Sequence, residues 1–237
     1  MPILKKMNRK RIVATEIPCP PVGALVEITR TPRKRSTRTV LKTSTGPFET
    51  SLRKVFKSLN ADKSLKIGSS TIDILDSMVV FLATKIATQA NVLSSYNKMK
   101  TITQQHAGSA ISMVLHGSLA KSANDASNRA HVVFDRVSKL IKTSELAAGT
   151  SDKAQLILSV PRVRTIIKTN SDKDVGLPTA IMVAAALEFV VTDLLDTAIT
   201  KVKESSQSVV HGRHIQAIAE SDEEYKRLFK NASFISC

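Results

Sequence analysis

At 237 residues and a formal net charge of +15, the chain is long for one domain and short for two average ones, so two small or intertwined units are the natural expectation. The charge calls for a polyanionic partner, nucleic acid first and an anionic membrane surface second; no apolar run approaches the roughly 20 residues of a membrane span. Hydrophobic residues make up 42% with no Trp, so the core is aliphatic and helical rather than a β-sandwich.

Residues 1–47 hold Lys5, Lys6, Arg9, Lys10, Arg11, Arg30, Arg33, Lys34, Arg35, Arg38 and Lys42 against only Glu16 and Glu27, with Pro18, Pro20, Pro21 and Pro32 interspersed. Such a segment packs no core. Its N-terminal basic residues precede no apolar signal core, which argues against export. Clustering of Arg33, Lys34, Arg35 and Arg38 just ahead of the first folded element points to phosphate contact. Cys19 and Cys237 are far apart and lack metal or redox spacing, as expected of free thiols in a reducing compartment.

A short helix is predicted over Glu49–Leu59, with Leu52, Val55, Phe56 and Leu59 on one face and Lys54 and Lys57 pointing away. After a loop through Asp62–Ser70, apolar residues at Ile72, Leu75, Val79, Leu82, Ile86, Ala90 and Leu93 fall in steps of three and four. That pattern predicts one long helix over Thr71–Leu93. Its single stripe needs an equally long partner. Thr101–Thr103 reads as a short extended piece. A third helix carries Ala107, Ala110, Ile111, Val114 and Leu115, with Gly117 ending it, and a fourth runs from Leu119 to about Ile141. The polar stretch Thr143–Asp152 is the linker. The same order then returns: a short helix marked by Val163, Ile166 and Ile167, a loop over Thr169–Pro178, a long helix over Thr179–Lys203, a loop over Glu204–Val210, and a last short helix beginning near His214.

Particular residues in both halves carry a family resemblance. From Ile67 to Phe134 the chain resembles histone 2B, through Tyr96-Asn97-Lys98, Thr101-Ile102-Thr103, Leu115, Gly117 and Leu119-Ala120-Lys121. The second half resembles histone 2A, through Val160–Val163, Ala184-Ala185, Leu187-Glu188-Phe189, Arg213-His214, Gln216 and Asp222-Glu223-Glu224. A covalent pair in this order resembles the core histone doublets of marseillevirus-type DNA viruses. The resemblance implies an all-α chain of two histone folds forming an intramolecular handshake dimer. A basic tail (1–47) would precede a 2B-like fold with its C-terminal helix (48–142), a linker (143–152), a 2A-like fold (153–230) and a short tail (231–237) lacking the full docking segment.

It further implies a DNA-binding surface of Ser69, Ser70, Lys98, Lys100, Thr101, Arg162, Arg164 and Lys168, with Lys54, Lys57 and Lys173 as lesser candidates. Met99 and Val209 stand where the family places minor-groove arginines, so looser wrapping is expected. An acidic patch of Glu188, Asp193, Asp196, Asp222, Glu223 and Glu224 would anchor basic peptides. It should be reduced, because Ser118 and Ala126 stand where the 2B family carries acids. The implied partners are double-stranded DNA, a histone 4–histone 3 type doublet or dimer, and a second copy of the chain in an octamer-like particle, with no membrane. The implied place is chromatin: a cytoplasmic viral factory and virion if the chain is viral, the nucleus otherwise. The competing reading is a transcription subunit pair like the CCAAT-binding factors, which binds specific DNA.

Enzymatic function is not expected. There is no P-loop, no Gly-rich dinucleotide turn and no nucleophile elbow. His211 and His214 share a helix face but have no carboxylate or thiol to complete a metal set, so neither metal nor cofactor is expected. His106, His116 and His131 read as structural or surface residues.

Overall fold

The computed structural model describes residues 46–61, 63–141 and 149–230, all within one compact unit. The elements in order are α1 (Glu49–Leu59), β1 (Lys66–Ile67), α2 (Ser69–Tyr96), β2 (Thr101–Ile102), α3 (Gln104–Val114), α4 (Gly117–Ile141), α5 (Thr150–Lys153), α6 (Val160–Thr169), β3 (Asp174–Val175), α7 (Leu177–Glu204), β4 (Val209–Val210), α8 (Gly212–Ser221) and α9 (Glu223–Phe229). A run of short helix, strand, long helix, strand and short helix thus occurs twice, as α1–α3 and as α6–α8.

The two long helices differ in how much of their surface is apolar. In α2, Ile72, Leu75, Val79, Leu82, Ile86 and Ala90 are buried, as the stripe predicts. In α7 burial goes nearly all round, with Ala184, Ala185, Ala186 and Leu187 consecutive in the core. A helix apolar on every side belongs at the centre, and α7 packs against α1, α2, α3, α4, α6 and α8. By length and composition alone it would cross a membrane, with mean hydropathy 1.7, which the expectation of no span-length run overlooked. That stretch is 67% buried within the protein, the mark of a core helix.

Strand pairing is crossed between the runs. β1 pairs in parallel with β4, Lys66 opposite Val209, and β2 pairs in parallel with β3, Thr101 opposite Asp174. Because β1 leads into α2 while β4 follows α7, the start of each long helix lies beside the end of the other, and the two run antiparallel.

The same local device secures both pairs. The Gly68 N–H and Thr71 hydroxyl both donate to the Val210 carbonyl, at 3.1 and 2.9 Å; the Gly176 N–H and Thr179 hydroxyl both donate to the Ile102 carbonyl, at 3.3 and 2.8 Å. Each Gly is the N-cap of its long helix, and the carbonyl it faces lies within van der Waals contact of where a Cβ would stand. Both long helices also end alike, with Lys98 and Ser206 at positive φ and the following N–H turned back to a helix carbonyl.

Three local expectations need correction. Gly117 does not end α3, which stops at Val114; it is the first residue of α4, at φ +64°, where glycine is favoured. The last residues of the expected linker, Thr150–Asp152, belong to the single turn α5. α9 was not anticipated, although its start signals are in the sequence: Asp222 as N-cap, Glu223 and Glu224 in the first turn, Lys226 and Arg227 in the last.

Candidate nucleic-acid interface

The crossed pairing gathers cations at both ends of the long helices, which at 1.5 Å per residue are separated by about 40 Å. At the β1–β4 end, Lys66 is exposed on β1, and Ser69 and Ser70 are exposed on the first turn of α2. Lys63 precedes them at positive φ. Arg213 and His211 join Ser70 and Ile74 around an open cleft of about 300 Å³. At this end the sequence reading had only Ser69 and Ser70. Lys63, Lys66 and Arg213 were missed because the register that brings α8 beside α2 is not visible locally.

At the β2–β3 end, Lys98, Lys100 and Thr101 are exposed, as are Arg164 and Lys168 on α6. Arg164 is partly engaged, its guanidinium donating to the Val175 carbonyl at 3.0 Å, and the Lys173 ammonium donates to the Ser94 hydroxyl at 3.2 Å. Met99 is 46% exposed beside these cations. Val209 is half-buried in the β4 pair at the other end.

Between the ends, the starts of α1 and α6 meet. The Arg162 guanidinium donates to the Pro47 carbonyl, and the Asp76 carboxylate accepts the Phe48 N–H at 2.6 Å. Burial holds Asp76 above the usual carboxylate range, opposed by the Phe48 N–H and the nearby Arg162. Lys54 and Lys57 are exposed on α1. Arg33, Lys34, Arg35 and Arg38 lie outside the described residues.

Helix ends around this surface are electrostatically alike. The N-cap residues of α1, α2, α6 and α7 make no side-chain cap bond; at α6 the Val160 N–H instead donates to the Ser151 hydroxyl at 3.0 Å, and at α1 the Phe48 N–H is taken by Asp76. α3, α8 and α9 are capped internally. In α3 the His106 ring Nδ1 accepts the Thr103 N–H at 3.1 Å, and in α8 the His214 Nδ1 accepts the His211 N–H at 3.1 Å. Burial, with Arg213 and His211 nearby, lowers the pKa of His214, which keeps that nitrogen an acceptor. The starts of α2 and α7, without side-chain caps, together with the exposed cations beside them would suit phosphate oxygens.

The acidic residues are drawn into the fold to different degrees. The Glu188 carboxylate accepts the Leu158 N–H at 2.8 Å, and burial raises its pKa against the N–H groups of Leu158 and Ile157. Asp193 accepts the Tyr225 hydroxyl at 2.5 Å; burial and that bond push the tyrosine pKa far up. Asp222 accepts the Glu224 N–H at 2.8 Å as the α9 cap, and Glu224 reaches across to α4. There it accepts the Ser118 and Leu119 N–H groups at 2.9 and 3.0 Å. Glu223 is exposed with loose contacts to Lys226 and Arg227, and Asp196 is exposed. Asp193, Asp222 and Glu224 therefore converge around Tyr225, while Glu188 sits apart near the start of α6.

Residues 26–113 match the family model of the core histone domain, the one shared by histones 2A, 2B, 3 and 4. That segment of the chain is similar to the core histone domain. The match begins ahead of the described residues and reaches to the last turn of α3. Histone macroH2A1.1 of Capsaspora owczarzaki is 27% identical over 92 residues, 38% of this chain; the chain spans about a quarter of that protein's length. The crystal structure of the histone from Methanopyrus kandleri overlaps 75% of this chain and 96% of its own, with a TM-score of 0.47 and 15% identity. Among the described residues no group of three or more His, Cys, Asp or Glu is placed to hold a metal ion.

Proposed function

We propose that the chain is a fused histone pair, 2B-like in α1–α4 and 2A-like in α6–α9, that packages DNA without sequence preference together with a histone 4–histone 3 type partner. The observation that carries this reading is the crossed pairing of β1 with β4 and β2 with β3. It sets the first loop of each run beside the second loop of the other, so a single chain supplies both members of a handshake. Fusion makes pairing intramolecular and independent of concentration. DNA is then held through phosphates at the two loop pairs and at the meeting point of α1 and α6, with the basic segment 1–47 adding charge.

Two copies with their partners would form an octamer-like particle on chromatin, in a viral factory and virion if the doublet is viral. The exposed Asp196 and Glu223 are what remains open of an acidic patch for basic peptides. The test is nuclease protection of DNA mixed with this chain, with and without a histone 4–histone 3 partner. A discrete fragment of roughly a hundred base pairs or more, seen only with the partner, supports packaging. A short footprint at a preferred sequence would replace it with the transcription-subunit reading.

A further inference from the structure

Among the described residues, Asp76 is the buried acidic side chain, 7% exposed, and the DNA reading makes no use of it. It sits on α2 directly under the point where the chain enters the folded body. Its Oδ1 takes the Phe48 N–H at 2.6 Å, and the Phe48 ring is fully buried. Gly46 lies so close that a Cβ there would overlap the carboxylate. From the other run, Arg162 of α6 holds the Pro47 carbonyl and faces Asp76. Three consecutive residues are thus gripped by α2 on one side and α6 on the other. Covalently, the next residues outward lead to Arg38, Arg35, Lys34 and Arg33.

We infer that Asp76 is a positioning residue for the basic segment: by fixing Gly46–Phe48 it sets the point from which those cations reach DNA. The inference rests on the reading of that segment as phosphate-binding. Hydrogen bonding to Phe48 alone would be served as well by a neutral amide. A buried carboxylate carries a desolvation cost that a neutral acceptor avoids, and here its charge faces the guanidinium that holds the opposite side of the same three residues. Anchoring matters because a tethered group acts at an effective concentration that falls as its free tether lengthens, about as the −3/2 power. Eight positions separate Arg38 from Gly46. Releasing three more lowers the local concentration of the cations about 1.6-fold, before any loss of direction.

The test is a double-mutant cycle on the full chain, read as DNA affinity by fluorescence anisotropy at fixed salt. One arm is D76A. The other neutralises the segment as R33A/K34A/R35A/R38A. D76A should weaken binding about two- to threefold with the native segment and have no effect once the segment is neutral. G46A, whose Cβ would overlap the Asp76 carboxylate and so displaces the same three residues while leaving that carboxylate in place, should behave alike and serves if D76A melts. Equal weakening in both backgrounds, or none with the native segment, overturns the inference. If the neutralised segment binds DNA as well as the native one, the phosphate reading of the segment fails first, and that outcome is separately visible.

Discussion

Replacing Glu224 with Ala removes the acceptor that holds the start of α4. Its carboxylate takes two backbone N–H groups, from Ser118 at 2.9 Å and Leu119 at 3.0 Å, and the Ser118 hydroxyl at 3.1 Å. Removing an N-terminal cap costs about 0.5–2 kcal/mol. The freed N–H groups lie at an exposed helix end where water reaches them, so a value near the middle, about 1 kcal/mol, is expected. For a body of this size that lowers Tm by about 2–4 °C. Gln keeps one oxygen without the charge, so E224Q should lose about half as much.

The pH dependence has a definite sign. The N–H groups of Ser118 and Leu119 hold Glu224 below its usual range, so the stabilisation is full above its unfolded pKa and is lost as pH falls through the lower folded value. Thermal melts of both forms should therefore show a gap near pH 7 that narrows by about pH 3. Equal Tm near neutrality, or a gap that survives unchanged into acid, would refute the capping role.

Other expectations follow from single contacts. Y225F deletes the hydroxyl on Asp193 and should cost about 1 kcal/mol in urea unfolding, with DNA affinity unchanged; a loss of DNA affinity would put α9 in the interface. K66A and K100A, one at each loop pair, should each lower the slope of log affinity against log salt by about 1, equally on unrelated sequences. M99R places a guanidinium at a position 46% exposed beside Lys98 and Lys100, and should slow nuclease digestion of the bound DNA. I102A empties a fully buried site next to the Thr179 contact and should cost about 2–5 kcal/mol in the same urea assay.

The long helices were legible because their burial follows the periodicity of their own residues. Ile72 through Ala90 form one stripe, and nothing nearby breaks it. Short elements were read less well. α9 is two turns, too short for periodicity to register, so only its cap and charge order announce it. Gly117 was placed at the wrong end of a turn, because a glycine marks a backbone conformation without saying which helix it serves. At the candidate interface, the sequence points to residues next to a motif, whereas cations brought together by strand pairing carry no local signal. Lys100 adjoins Thr101 in sequence, whereas Arg213 comes to Ser70 only through a register set across the whole chain. The acidic residues show the limit most sharply: the sequence marks where carboxylates cluster, but whether one faces solvent or caps a neighbouring helix depends on where α4 begins.

The crossed pairing also orders events during synthesis. Thr71 donates to Val210, 139 positions later, while Thr179 donates to Ile102 across 77. At roughly 5–20 residues per second, the ribosome leaves the start of α2 without its partner for roughly seven to thirty seconds. For most of that interval the apolar stripe from Ile72 to Ala90 lacks α6, α7 and α8, all of which pack against α2. A nascent chain of this kind favours a holding chaperone over rapid release, and truncated products should be cleared or aggregate rather than persist as free halves.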